Sequence, residues 1–70
     1  MSNRRTDETV SCNLRVLMAE TGLPQTVAAQ HAGMYQSGLS RSLNGHREWR
    51  VHEVVALAQL FGTTVEGLTR

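Results

Sequence analysis

Between Gln36 and Asn44 the chain carries side chains that hydrogen-bond well and hold little charge. Placed on a helix, Gln36, Ser37, Ser40, Arg41 and Asn44 spread over an arc of roughly 140°. Leu39 and Leu43 fall on the other side, where they can enter a core. Gln, Arg and Ser are the residue types that match base edges, Gln to adenine, Arg to guanine and Ser to several. A polar helix face can also simply meet water. From Thr21 to Arg47 there is no Asp or Glu, so an anion approaching this segment meets no opposing carboxylate within it.

Other residues with chemical potential form weaker constellations. His31, His46 and His52 stand without an i, i+4 His pair, and the lone Cys12 is distant in sequence, so no metal site is expected. Glu48 and Glu53 sit among Arg and His at a helix start and do not make an acid/base pair. Cys12 points away from the apolar face and has no nearby His to activate it. No Gly-rich phosphate loop or nucleophile motif is present. Neither enzymatic activity, a cofactor nor a small-molecule substrate is expected.

These side chains need a scaffold, and the 70 residues suffice for one small domain. A single cysteine rules out an internal disulfide framework and fits a reducing cytoplasm. No apolar run approaches the roughly 18 residues of a membrane span, so no membrane partner is expected. All seven basic residues are Arg, against six acids, for a net charge of +1. That total says little about a nucleic-acid partner; the placement of the arginines says more.

β-Branched alternation is absent, and Gly punctuation divides the chain into helices. The first is expected over about Thr9 to Thr21, with Val10, Leu14, Leu17, Met18 and Thr21 inward. The second fits Pro24 to Ala32, with Ala28, Ala29 and Ala32 inward and Gly33 as a left-handed C-cap. The third runs from Gln36 to Leu43 and closes at Asn44-Gly45, with Gly38 allowing close approach to the Ala-rich helix. The fourth spans about Trp49 to Phe61, facing inward with Val51, Val54, Val55, Ala58 and Phe61, while Trp49 anchors the preceding loop. A last turn, Val65 to Thr69, starts from Thr64 as N-cap. The expected fold is all-α, a compact bundle of about five short helices over residues 9–70, preceded by a flexible N-terminal arm over residues 1–8.

The second and third helices, joined through Gly33, form a helix-turn-helix. The stretch GLPQTVAAQHAGMYQSGLSRSLNG (Gly22 to Gly45) resembles the lambda repressor/Cro-like (XRE-type) DNA-binding domains, and VHEVVALAQLFGTTVEGL (Val51 to Leu68) is similar to their last two helices. The resemblance rests on Gln25, Ala29, Gly33, Gln36-Ser37 and Asn44-Gly45 taken together. It implies that Gln36, Ser37, Ser40 and Arg41 read bases, and that Gln25, Asn44 and Arg47 contact phosphate. Tyr35 either reaches a phosphate with its hydroxyl or packs. Arg4 and Arg5 resemble the basic arm that some members lay along a groove, or belong to a solvated tail.

The resemblance further implies a double-stranded, near-palindromic operator, bound by a homodimer in the cytoplasm of a bacterial host. Leu60, Val65 and Leu68 are candidates for the dimer contact, or fold back over the core. A Cro-like or immunity-type phage repressor is the expected role; a toxin–antitoxin autoregulator and a protein-interaction module without DNA binding are the alternatives. Three departures stand out. Pro24 replaces a Ser N-cap, Met18 and Leu43 replace an Arg–Glu pair between the first and third helices, and basic density is modest.

Overall fold

Arg4 and Glu8 lie one helical turn apart and pair at 3.4 Å. Asp7 supplies an acid to the first turn, and the Thr9 hydroxyl donates to the Arg5 carbonyl at 3.0 Å. These local contacts, together with burial of Val10 and Ser11, carry the first helix back to Arg4, five residues before its expected start at Thr9. The computed structural model describes residues 4–70. The expected arm boundary at residue 8 therefore falls inside a helix, Arg4 and Arg5 project from its first turn, and residues 1–3 of that arm lie outside the described residues.

The element order is α1 (Arg4–Thr21), α2 (Gln25–His31), α3 (Gln36–Leu43), α4 (Val51–Leu60) and α5 (Val65–Leu68), with no strand among the described residues. The two glycines that bound α3's neighbourhood act through their backbone. Gly33 and Gly45 take φ of +69° and +79°, where a Cβ is disfavoured. Beyond them, Met34 N–H returns to Ala29 C=O and His46 N–H to Arg41 C=O, both at 2.8 Å. Each is the long bond of a Schellman motif, which satisfies helix-end carbonyls and turns the chain sharply. That is why α2 and α3 are short and set at a fixed angle.

The core draws on every helix: Val10 and Leu14 from α1, Ala28 and Ala29 from α2, Leu39 and Leu43 from α3, Val54, Leu57 and Ala58 from α4, Leu68 from α5, and Trp49 from the loop before α4. Helix α3 packs on α1 and α2, and α5 closes the far side against α1 and α4. The Thr64 hydroxyl caps α5 by accepting Gly67 N–H at 2.9 Å. Asn13 then pins α5 to α1, donating to the Leu68 carbonyl at 2.8 Å.

Several inward faces differ from expectation. On α4 the buried stripe is Glu53, Val54, Leu57 and Ala58, whereas Val51 and Val55 are exposed. The helix is turned by about one position because Glu53 is drawn inward by Arg47 and by the Arg50 N–H. Thr21 faces out, its hydroxyl returned to the Leu17 carbonyl at 2.7 Å. Leu68 is 1% exposed, so its side chain belongs to the core and offers no surface to a second copy. Leu60 and Val65 are partly buried against the same core. Gly38 is not a close-approach glycine: a Cβ there would meet nothing within 4 Å.

Candidate nucleic-acid interface

Helix α3 presents the face anticipated for it. Gln36, Ser37 and Arg41 are exposed and Ser40 is half-buried, while Leu39, Ser42 and Leu43 point inward. Tyr35 occupies the N-cap position of α3 with extended backbone and is 87% exposed, so the packing alternative does not hold. Gln25 opens α2, half-buried, behind Pro24; Pro24 takes the N-cap position and supplies no side-chain cap.

The far end of α3 is held from α1. Arg15 Nη2 donates to the Leu43 carbonyl and to Asn44 Oδ1, each at 2.7 Å. The guanidinium thus satisfies a carbonyl at the negative end of the helix. Met18 is half-buried and Leu43 buried at the place where the resembling family has an ion pair, and both line one depression. An arginine still joins α1 to the end of α3, but from three residues earlier. Arg15 is exposed and off the apolar face of α1, so the helical pattern alone offers no signal for it.

Arg47, expected at a phosphate, is bonded within the protein. Its Nη2 and Nη1 donate to Glu53 Oε2 and Oε1 at 2.7 and 2.9 Å, and Nη1 also reaches Ser42 Oγ at 3.0 Å. The hydrogen bonds to Glu53 hold Arg47 above its ordinary pKa against the opposing effect of burial. Burial alone would raise the Glu53 carboxyl, yet bonds from Arg47 and the Arg50 backbone outweigh it and hold that carboxyl below its ordinary value. Beside this pair runs a second buried chain, in which Trp49 Nε1 donates to Ser11 Oγ and Ser11 Oγ to the Ser42 carbonyl, both at 2.8 Å. Together they fix the loop that leaves α3 against α1 and α4.

A family model for a helix-turn-helix domain matches residues 10–70. The chain belongs to the helix-turn-helix domain family. No curated protein and no solved structure matches it. In this helix-turn-helix domain of XRE type, α2 and α3 are the two members of the motif and Gly33 is its turn. Membership of this family points to DNA as a partner and to transcription regulation. Among the described residues no helix is long and apolar enough to cross a membrane, and no three His, Cys, Asp or Glu residues gather as a metal site.

Proposed function

We propose that this domain is a sequence-specific regulator that reads duplex DNA with α3 in the major groove, in the manner of a Cro-like or immunity-type phage repressor. The observation that carries the reading is the pairing of an exposed Gln36, Ser37 and Arg41 on α3 with the absence of any carboxylate from α2 and α3. Arg41 is engaged by no carboxylate among the described residues, so its planar fork is free for a guanine edge. Gln36 suits an adenine, and Ser37 and Ser40 add shorter contacts. Gln25, Tyr35 and Asn44 flank the helix as phosphate contacts.

A homodimer on a near-palindromic operator follows from the family's mode of docking, with half-sites about one helical turn apart. Leu60 and Val65 remain its contact candidates. The cytoplasm of a bacterial host is the setting for such a protein.

Selection of bound duplexes from a random pool tests this. A symmetric pair of half-sites is expected, with a sedimenting mass of two chains per duplex. On the selected site Gln36→Ala and Arg41→Ala should each cost about 1–3 kcal/mol and relax the preference at one base pair. Binding to the selected site that ignores both substitutions would remove α3 as the reading element.

A further inference from the structure

Where α1, the start of α2 and the end of α3 meet, the surface sinks into a depression of 440 Å³ lined by Arg15, Met18, Gln25, Leu43 and Asn44. Three polar side chains, from α1, from the start of α2 and from the end of α3, line it together with Met18 and Leu43. Arg15 is the only residue among the five that carries charge. Both of its bonded partners are neutral oxygens, the Leu43 carbonyl and Asn44 Oδ1. Arg4, Arg47 and Arg70, by contrast, are paired with Glu8, Glu53 and Glu66. No carboxylate is paired with Arg15 among the described residues.

The geometry also orients Asn44. Its Oδ1 accepts from a guanidinium that has no acceptor of its own, so the amide flip is decided: oxygen toward Arg15, the NH₂ donors away from it. Arg15 spends Nη2 on these two bonds, which leaves the Nε and Nη1 donors for a ligand. We propose that Arg15, Gln25 and Asn44 form a cradle for one backbone phosphodiester, in which Arg15 supplies the charge and holds the Asn44 donor in place. The proposal rests on the DNA-binding reading above. It adds a residue of α1 to an interface otherwise built from the helix-turn-helix alone.

Arg15→Met and Arg15→Lys test it, with Asn13→Ala as a control that removes a distant interhelical bond to Leu68. Affinity is measured by anisotropy on the selected duplex and on a scrambled one, over a salt series, at a temperature where circular dichroism shows each variant folded. Arg15→Met should weaken both duplexes about equally, by about tenfold, as expected for one charge-assisted contact. Its log K against log salt slope should be shallower by about 0.9, the signature of one lost phosphate contact. Arg15→Lys should keep the slope yet bind several-fold more weakly than wild type, because an ammonium lacks the fork that reaches both acceptors. Asn13→Ala should leave affinity and slope alone.

An unchanged slope in Arg15→Met, or an affinity loss that Asn13→Ala reproduces, overturns the cradle and leaves DNA binding standing. Arg15→Lys indistinguishable from wild type removes the positioning of Asn44. A wild-type protein that binds neither duplex overturns the DNA reading and the cradle with it.

Discussion

Arg47 holds Glu53 by both carboxylate oxygens, at 2.7 and 2.9 Å, and Glu53 is 3% exposed. The same Oε1 accepts the Arg50 N–H at 2.9 Å, so one carboxylate joins the loop after α3 to the first turn of α4. Glu53 is thereby the N3 partner of its own helix start as well as the anchor of Arg47. A buried ion pair need not be net stabilising compared with apolar packing, but removing one partner leaves a charge stranded. The pair therefore specifies how α4 is rotated, and through Ser42 it touches the inner side of α3.

Arg47→Ala is expected to cost about 3 kcal/mol of folding stability, since Glu53 then stays buried without its counter-charge. Glu53→Ala should cost a similar amount, and the double variant less than the sum of the two. Urea unfolding followed through Trp49 fluorescence measures all three. In the folded protein Arg47→Ala should leave the salt slope of DNA binding as in wild type. A shallower slope with an unchanged unfolding midpoint would return Arg47 to the phosphate role that the family resemblance implies.

Two carboxyls should respond to pH with opposite sign. Burial raises the pKa of Asp7, the Trp49 backbone N–H draws it partly back, and nearby Glu48 raises it again. Its Oδ1 is buried with no hydrogen-bond partner. A raised folded pKa means that ionised Asp7 opposes folding at neutral pH, a cost relieved as pH falls through that folded value. Asp7→Asn should therefore stabilise the protein at pH 7 and lose this advantage in acid. For Glu53 the folded pKa is lowered, so its contribution is complete above the unfolded value and fades as pH falls through the folded one. Glu53→Gln should destabilise at pH 7, with a deficit that shrinks only below the ordinary carboxylate range near about 4. Thermal unfolding of both variants between neutral and acidic pH gives the two curves; parallel curves would contradict the signs.

Ser11 is a buried hydroxyl on the face of α1 that the apolar pattern reserves for Val10 and Leu14. It accepts from the Trp49 indole and donates to the Ser42 carbonyl, so it is satisfied on both sides. Ser11→Ala strands the indole N–H in the core and should cost about 1–3 kcal/mol. The denaturation midpoint measures the loss, and a midpoint equal to wild type would mean that the indole finds another acceptor.

How much was legible before the structure depended on whether a feature is local. The bounds of α3, the left-handed Gly33 and Gly45, and the Thr64 cap follow from residues within one or two turns of each other, and the expectations for them held. The inner trio Ala28, Ala29 and Ala32 held for the same reason. The rotation of α4, the commitment of Arg47 and the burial of Ser11 depend on partners six or more residues away, Glu53 for Arg47 and Ser42 for Ser11, whereas the early start of α1 rests on local pairs of polar residues that an apolar pattern does not register. An apolar-pattern search assigns Glu53 outward by type, and so turns α4 the wrong way. Arg15 was invisible for the same reason, because its value lies in what α3 places opposite it.

Gly38 offers the sharpest separation between the two views of α3. If it were there to let α2 approach, Gly38→Ala would force the helices apart and destabilise the fold. In the structure a Cβ at that position meets nothing within 4 Å, and the backbone is helical with no positive φ. Alanine there loses less backbone entropy on folding than glycine does, so Gly38→Ala should stabilise the protein by about 0.5–1 kcal/mol. Helix α3 would also be stiffer, with Gln36 and Arg41 held on the same face. Stability by thermal unfolding and affinity for the selected duplex should then be measured on the same variant. A rise in stability with affinity retained is the expected result. A fall in stability would restore the close-approach role, and a rise accompanied by lost affinity would mean that the free space beside Gly38 is taken up by DNA.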